Sequence, residues 1–148
     1  MKKKLYAKAL LSYFFLTLIV EATQLDSFEK GIELFKKNQF EKSKIHFERD
    51  LVFNPKNEKS YLYLAKIFKE RENDEETEIN LNNVLLLNPQ NDEAVYMLTL
   101  LKIKQYDYKH AQELKDQFAL ICKKFCSKKN EIEEKLEKLN PENAKSND

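Results

Sequence analysis

Leu51-Val52-Phe53-Asn54-Pro55-Lys56-Asn57 and Leu85-Leu86-Leu87-Asn88-Pro89-Gln90-Asn91 are variants of one phrase, and their prolines stand 34 residues apart. Self-similarity at that interval marks stacked helical hairpins, each too small to bury its own apolar face. The phrase is also punctuation. The residue before a proline is pushed out of the α region, so Pro55 and Pro89 each end a helix. Asn57 and Asn91 then stand where an N-cap is wanted, and Glu58 and Asp92-Glu93 place negative charge in the next first turn.

Sliding the chain by the same 34 residues aligns Gly31 with Ala65 and Thr99, and Ser43 with Thr77 and Ala111. Large apolar groups recur around these small ones: Leu34 and Phe68, Phe47 and Leu81, Leu51 and Leu85. A large side chain facing a small notch is what two touching helices require. The pattern predicts three units, 24–57, 58–91 and 92–123, each with a helix A (about 25–37, 58–71, 92–105) and a helix B (about 41–53, 75–87, 108–121). Asp74 or Asn73 would cap the second helix B. Downstream, Ile132, Leu136 and Leu139 lie at helical spacing among charges, which predicts an amphipathic capping helix over 127–140. Asn140-Pro141 ends it, and 141–148 reads as a disordered tail.

Composition agrees. A single glycine and three prolines in 148 residues leave little material for hairpin turns, phosphate loops or a dinucleotide-binding turn, so the chain reads as all-α and nucleotide enzymes recede. The net charge of +1 conceals a basic N-terminus; beyond residue 22 the balance is 22 basic to 24 acidic groups, with no clustered basic face for nucleic acid.

That N-terminus has a signal-peptide layout. Lys2-Lys3-Lys4 precedes an apolar run from Ala9 to Val20, and Val20-Glu21-Ala22 follows. Such a run rises only about 18 Å as a helix against a hydrocarbon core of about 30 Å, which favours a cleaved segment 1–22, with Thr23 as the mature N-terminus, over a permanent span. The expectation is export, to a periplasm; an uncleaved inner-membrane anchor is the other reading.

The small residues Gly31, Ala65, Ser43, Thr77 and Ala111, the aromatic Phe47 and the closing Pro55 and Pro89 closely resemble the tetratricopeptide repeat, over about residues 24–123. The third unit departs from that pattern, with Lys102 and Lys115 at large apolar places and Lys123 where the proline should fall. The resemblance implies a right-handed α-solenoid acting as a non-catalytic protein-protein interaction module, with a peptide or protein partner held on the concave side of the A helices. The groove candidates it implies are Phe28, Ile32 and Phe35 in the first unit, Leu62, Lys66 and Lys69 in the second, and Tyr96, Leu100 and Ile103 in the third. Such a groove is apolar at its ends and basic at its centre, suited to hydrophobic anchors flanking an acidic residue. The family's clamp for a C-terminal carboxylate is not carried over, because Phe28, Ile32 and Lys66 occupy its slots.

Cys122 stands where Asn54 and Asn88 stand in the earlier units, and Cys126 follows four residues later. In an oxidising compartment the pair most simply forms a disulfide in the turn that replaces the missing proline. Paired cysteines near the C-terminal end also resemble those of small exported tetratricopeptide proteins of some bacteria. A thiol-active or metal-handling envelope protein using Cys122 and Cys126 stays open, as does a membrane-anchored assembly subunit. Metal binding would need more ligands, since His110 lies over ten residues upstream and His46 sits in another unit. No cofactor, metal or catalytic group is expected: the histidines sit in polar helix-B contexts and read as surface residues, and the acidic run from Glu72 to Glu78 reads as a solvated turn.

Overall fold

The computed structural model describes residues 27–139, so the expected signal segment 1–22 and tail 141–148 lie outside the described residues. The described residues are all-α: α1 (27–36), α2 (Phe40–Phe53), α3 (Glu58–Glu70), α4 (Asp74–Leu87), α5 (Asp92–Lys104), α6 (Tyr108–Ile121) and α7 (Lys129–Leu139), with a 3-10 turn at Cys126–Lys128 and no strand. The described residues divide into two compact units, 27–60 and 61–139.

In the first unit, α1 and α2 pair through the expected notch. A methyl group on Gly31 would lie 2.7 Å from Cε1 of Phe47, so only glycine leaves room for that fully buried ring. The Ser43 hydroxyl donates to the Gly31 carbonyl at 2.8 Å, and Ser27 donates to the His46 carbonyl at 3.1 Å. Phe28 packs edge-on against Phe47, with ring centroids 5.8 Å apart.

In the second unit the small residues Ala65, Thr77, Thr99 and Ala111 are buried beside Leu81, Val84, Val95 and Phe118. Helix α5 packs on α4, α6 and α7. Ile132 and Leu136 of α7 are buried in the common core, the face an amphipathic cap must hide. Each such side chain is worth about 1.5–3 kcal/mol when fully buried.

The turns follow one rule. Asn38, Glu72 and Tyr106, one per helical hairpin and 34 residues apart, all hold a left-handed backbone with φ of 56°, 55° and 58°. Around each the same pair of bonds forms: Asn38, Glu72 and Tyr106 donate to Phe35, Lys69 and Ile103, and the next residue donates to Leu34, Phe68 and Lys102. This is a left-handed helix stop of the Schellman kind. Only Asn38 is a residue that tolerates φ > 0 readily, so composition hid a repeat feature that backbone geometry displays. The following helix is capped by Asn73 in α4 and Asp107 in α6, each accepting a backbone N–H three residues on. Asn91 caps α5 in the same way, as expected, by accepting from Ala94.

Candidate functional site

The residues expected to face a groove range from buried to exposed. Leu62 and Tyr96 are each only 9% exposed and belong to the core of the second unit. One helical turn on, Lys66 and Leu100 are half-buried; a further turn on, Lys69 is exposed and Ile103 half-buried. In the first unit, Phe28, Ile32 and Phe35 are half-buried, with Phe28 against Phe47 and Phe35 5.4 Å from Phe40. In α3 and α5 the reachable surface therefore sits on the later turns, because the early turn is used for packing; in α1 no such gradient is seen.

The second unit shapes part of this surface into a cleft. Met97, Leu100 and Leu101 of α5 give it an apolar floor, Lys69 and Lys104 line it together with Glu72, Asp74 and Thr77, and the space enclosed is about 210 Å³. Its charge differs from the expected basic centre. Lys66 pairs with Glu93 at 2.8 Å and lies 5.1 Å from the Tyr63 ring centroid, and Lys104 pairs with Asp74 at 2.7 Å. Both acids come from other helices, so position along the chain gave no sign of these pairs.

A second cleft, of about 360 Å³, lies between α4, α5 and α6 and is polar. Glu78 accepts from Lys102 at 2.6 Å and from Gln105 at 3.2 Å; the Lys102 bond, working against burial, holds its carboxyl below the ordinary value. Lys102, which breaks the repeat pattern, is thus explained as the partner of Glu78. At the rim, His110 Nδ1 lies 2.6 Å from Asp107, and that bond leads the causes that lower the Asp107 carboxyl. His110 is exposed as expected, whereas His46 is half-buried.

Tyr96 leads to the junction between α6 and α7. Its ring stacks on Phe125 at 5.9 Å and lies 6.1 Å from Phe118, with the Lys128 ammonium 5.6 Å from its centroid. Its hydroxyl donates to Glu131 at 2.9 Å, and Lys128 donates to the same carboxylate oxygen at 2.9 Å. Burial, followed by the Glu131 bond, raises the Tyr96 phenol; the bonds from Lys128 and Tyr96 lower Glu131. Cys122 and Cys126 are joined as a disulfide across the turn, with Cα atoms 5.2 Å apart. Cys122 ends α6 and Cys126 opens the 3-10 turn, and the bends at 123–125 between them supply the change of direction that an unbroken helix would have denied the pair.

Two carboxylates went unrecognised in the sequence. Asp50, only 1% exposed, accepts from Asn54, Asn57 (2.7 Å) and Ser60. Asp92 accepts the backbone N–H groups of Lys123 (2.7 Å), Lys124 (2.6 Å) and Phe125 (3.1 Å) on one oxygen. A signal existed for the first: the matching residues in the other units, Val84 and Phe118, are apolar, so Asp50 holds a core slot. None existed for the second, whose donors are backbone groups.

Among the described residues, no cluster of three metal-ligating side chains occurs and no helix is long and apolar enough to cross a membrane. No family model and no curated protein matches the sequence. The chain is similar to the crystal structure of the Sgt2 TPR domain from Aspergillus fumigatus, at 15% identity and a TM-score of 0.63, over 84% of this chain and 81% of that one. Helical hairpins repeating every 34 residues, a glycine notch filled by Phe47 and this likeness together assign the fold: an α-solenoid of the tetratricopeptide repeat type.

Proposed function

We propose that this protein is a non-catalytic interaction module of the cell envelope, exported by its N-terminal segment, which holds a protein or peptide segment along its A helices. The observation that carries this is the cleft with an apolar floor of Met97, Leu100 and Leu101 and with Lys69 in its lining, on a fold whose usual work is protein binding. An apolar floor beside a cation suits a segment whose hydrophobic anchor is followed by an acidic residue. Pairing of Lys66 with Glu93 reduces the net attraction for acid at the centre, and Lys104 is paired with Asp74, which leaves Lys69, beside Glu72, as the exposed lysine of the cleft.

A photo-crosslinking residue placed at Leu100 or Phe35 in the full chain tests this in living cells. Capture of one defined protein from those positions, and its loss on Lys69→Glu, is the expected result. A specific observation favours a second surface. Val52, Leu86 and Leu120 occupy the same slot of the B helices and are 76%, 80% and 87% exposed. Capture from Leu86 or Leu120, with none from Leu100, would transfer the binding role to the B-helix face. Export is checked separately: a mature N-terminus at Thr23 supports it, and an intact Met1 in the soluble fraction overturns it.

A further inference from the structure

The turn between α6 and α7 is held at two points, by Asp92 and by the Cys122–Cys126 bond. The two sulfurs are not equally placed. Cys122 packs against the core, whereas Cys126 is exposed and stands beside the exposed Ser127. Between them Phe125 reaches inward to stack on Tyr96, and just beyond them Lys128 and Glu131 complete the network on the same ring. A surface disulfide therefore closes the turn that carries Phe125 onto Tyr96, a buried aromatic residue of α5.

We infer that this disulfide is an exchange site for a dithiol reductant and that its reduction releases the segment from Tyr96. Attack comes at the accessible sulfur. A reductant thiolate bonds to Sγ of Cys126, the Cys122–Cys126 bond breaks, and Cys122 leaves as the thiolate and takes up a proton. The second reductant thiol then attacks the mixed disulfide and frees Cys126. The reductant ends as a disulfide, two electrons have passed to the protein, and both cysteines carry protons. The nearby Lys123 and Lys124 are exposed and cationic, a setting that favours thiolates during exchange.

The opposing force is Asp92, whose three bonds hold the turn without involving either sulfur. Opening thus depends on how much the covalent closure adds. The loop is short, with a sequence separation of 4. Chain entropy for such a loop predicts that breaking it raises the open population about thirtyfold. That is enough to move the segment while leaving the rest of the second unit folded, since Ile132 and Leu136 still anchor α7.

Hydrogen exchange read by mass spectrometry on the full chain tests this, with thiols counted before and after treatment with dithiothreitol under native conditions. Expected are two titratable thiols after treatment, about thirtyfold faster exchange in peptides covering Lys123–Glu131, and unchanged exchange in α4. The doubly substituted Cys122→Ser, Cys126→Ser protein should behave like the reduced form without any reductant. Two results would overturn the inference: a bond that resists dithiothreitol until the protein unfolds, or complete reduction with no change in exchange, which would mean that Asp92 holds the turn alone. Should the double variant fail to fold, the reduced natural protein still gives the answer.

Discussion

The chain leaves α2 and α6 by different means. After α2 it turns through Asn54-Pro55-Lys56-Asn57, and the turn is tied to Asp50, a carboxylate in the helix just ended. After α6 it turns through Cys122 to Phe125, and the turn is tied to Asp92, 31 residues before Lys123. Both turns converge on a single carboxylate. In the first, every donor is a side chain within ten residues of the acceptor, and proline supplies the stop. In the second, the donors are backbone N–H groups, proline is missing, and a disulfide adds the closure. Of the turn built from neighbours in sequence, the proline stop recurs in the next hairpin, at Pro89, but there Val84 holds the slot of Asp50. The turn built across the fold serves a single place, the end of the array.

The largest effect should come from Asp50→Ala. It strands the buried Ser60 hydroxyl and the Asn57 amide, so a loss of about 3 kcal/mol is expected in urea denaturation. A loss below about 1 kcal/mol would mean that proline, not the carboxylate, holds the first turn. Next comes removal of the disulfide by Cys122→Ser with Cys126→Ser, at about 2 kcal/mol. Asp92→Asn should cost less, about 1 kcal/mol, because its donors lie near water. Made together, the last two changes should differ from the sum of their separate costs; strict additivity would show that they do not hold the same turn.

Proton binding gives a further test of the second turn. Burial pushes the Asp92 carboxyl up, but its backbone N–H donors push harder, and the net result lies below the ordinary value. A depressed carboxyl contributes stability that is complete above its unfolded value and lost as pH falls through its folded value. The natural protein should therefore lose part of its stability below about pH 4, and Asp92→Asn should show a shallower fall there. Equal slopes for the two proteins would remove Asp92 from the account. The smallest effect concerns the turns inside the hairpins: Tyr106→Gly relieves a left-handed backbone and should raise the unfolding midpoint by up to about 1 kcal/mol equivalent.

How far the sequence could be read follows the same division. Helix bounds were legible to within a residue or two: 58–71 was expected and Glu58–Glu70 is found, 108–121 was expected and Tyr108–Ile121 is found. Asn73 and Asn91 were legible as caps because a cap bonds only three residues away. The groove candidates could be listed from the sequence as A-helix positions, but which of them reach the surface could not. Nothing along the chain separated the buried Leu62 and Tyr96 from the accessible Leu100 and Lys69, or joined Lys66 to Glu93.

The opening phrase, repeated at 34 residues, was enough to establish helical hairpins, their length, their notches and their stops, because period, proline and cap are all settled within one or two turns of chain. Folding in three dimensions settled what those means do not reach. It drew Asp92 to a turn 31 residues away, stacked Phe125 on Tyr96, and neutralised Lys66 and Lys102 with acids from other helices. Hydrogen bonds and ion pairs act over a few ångströms of space whatever the distance along the chain, so their partners appear only once the helices have packed.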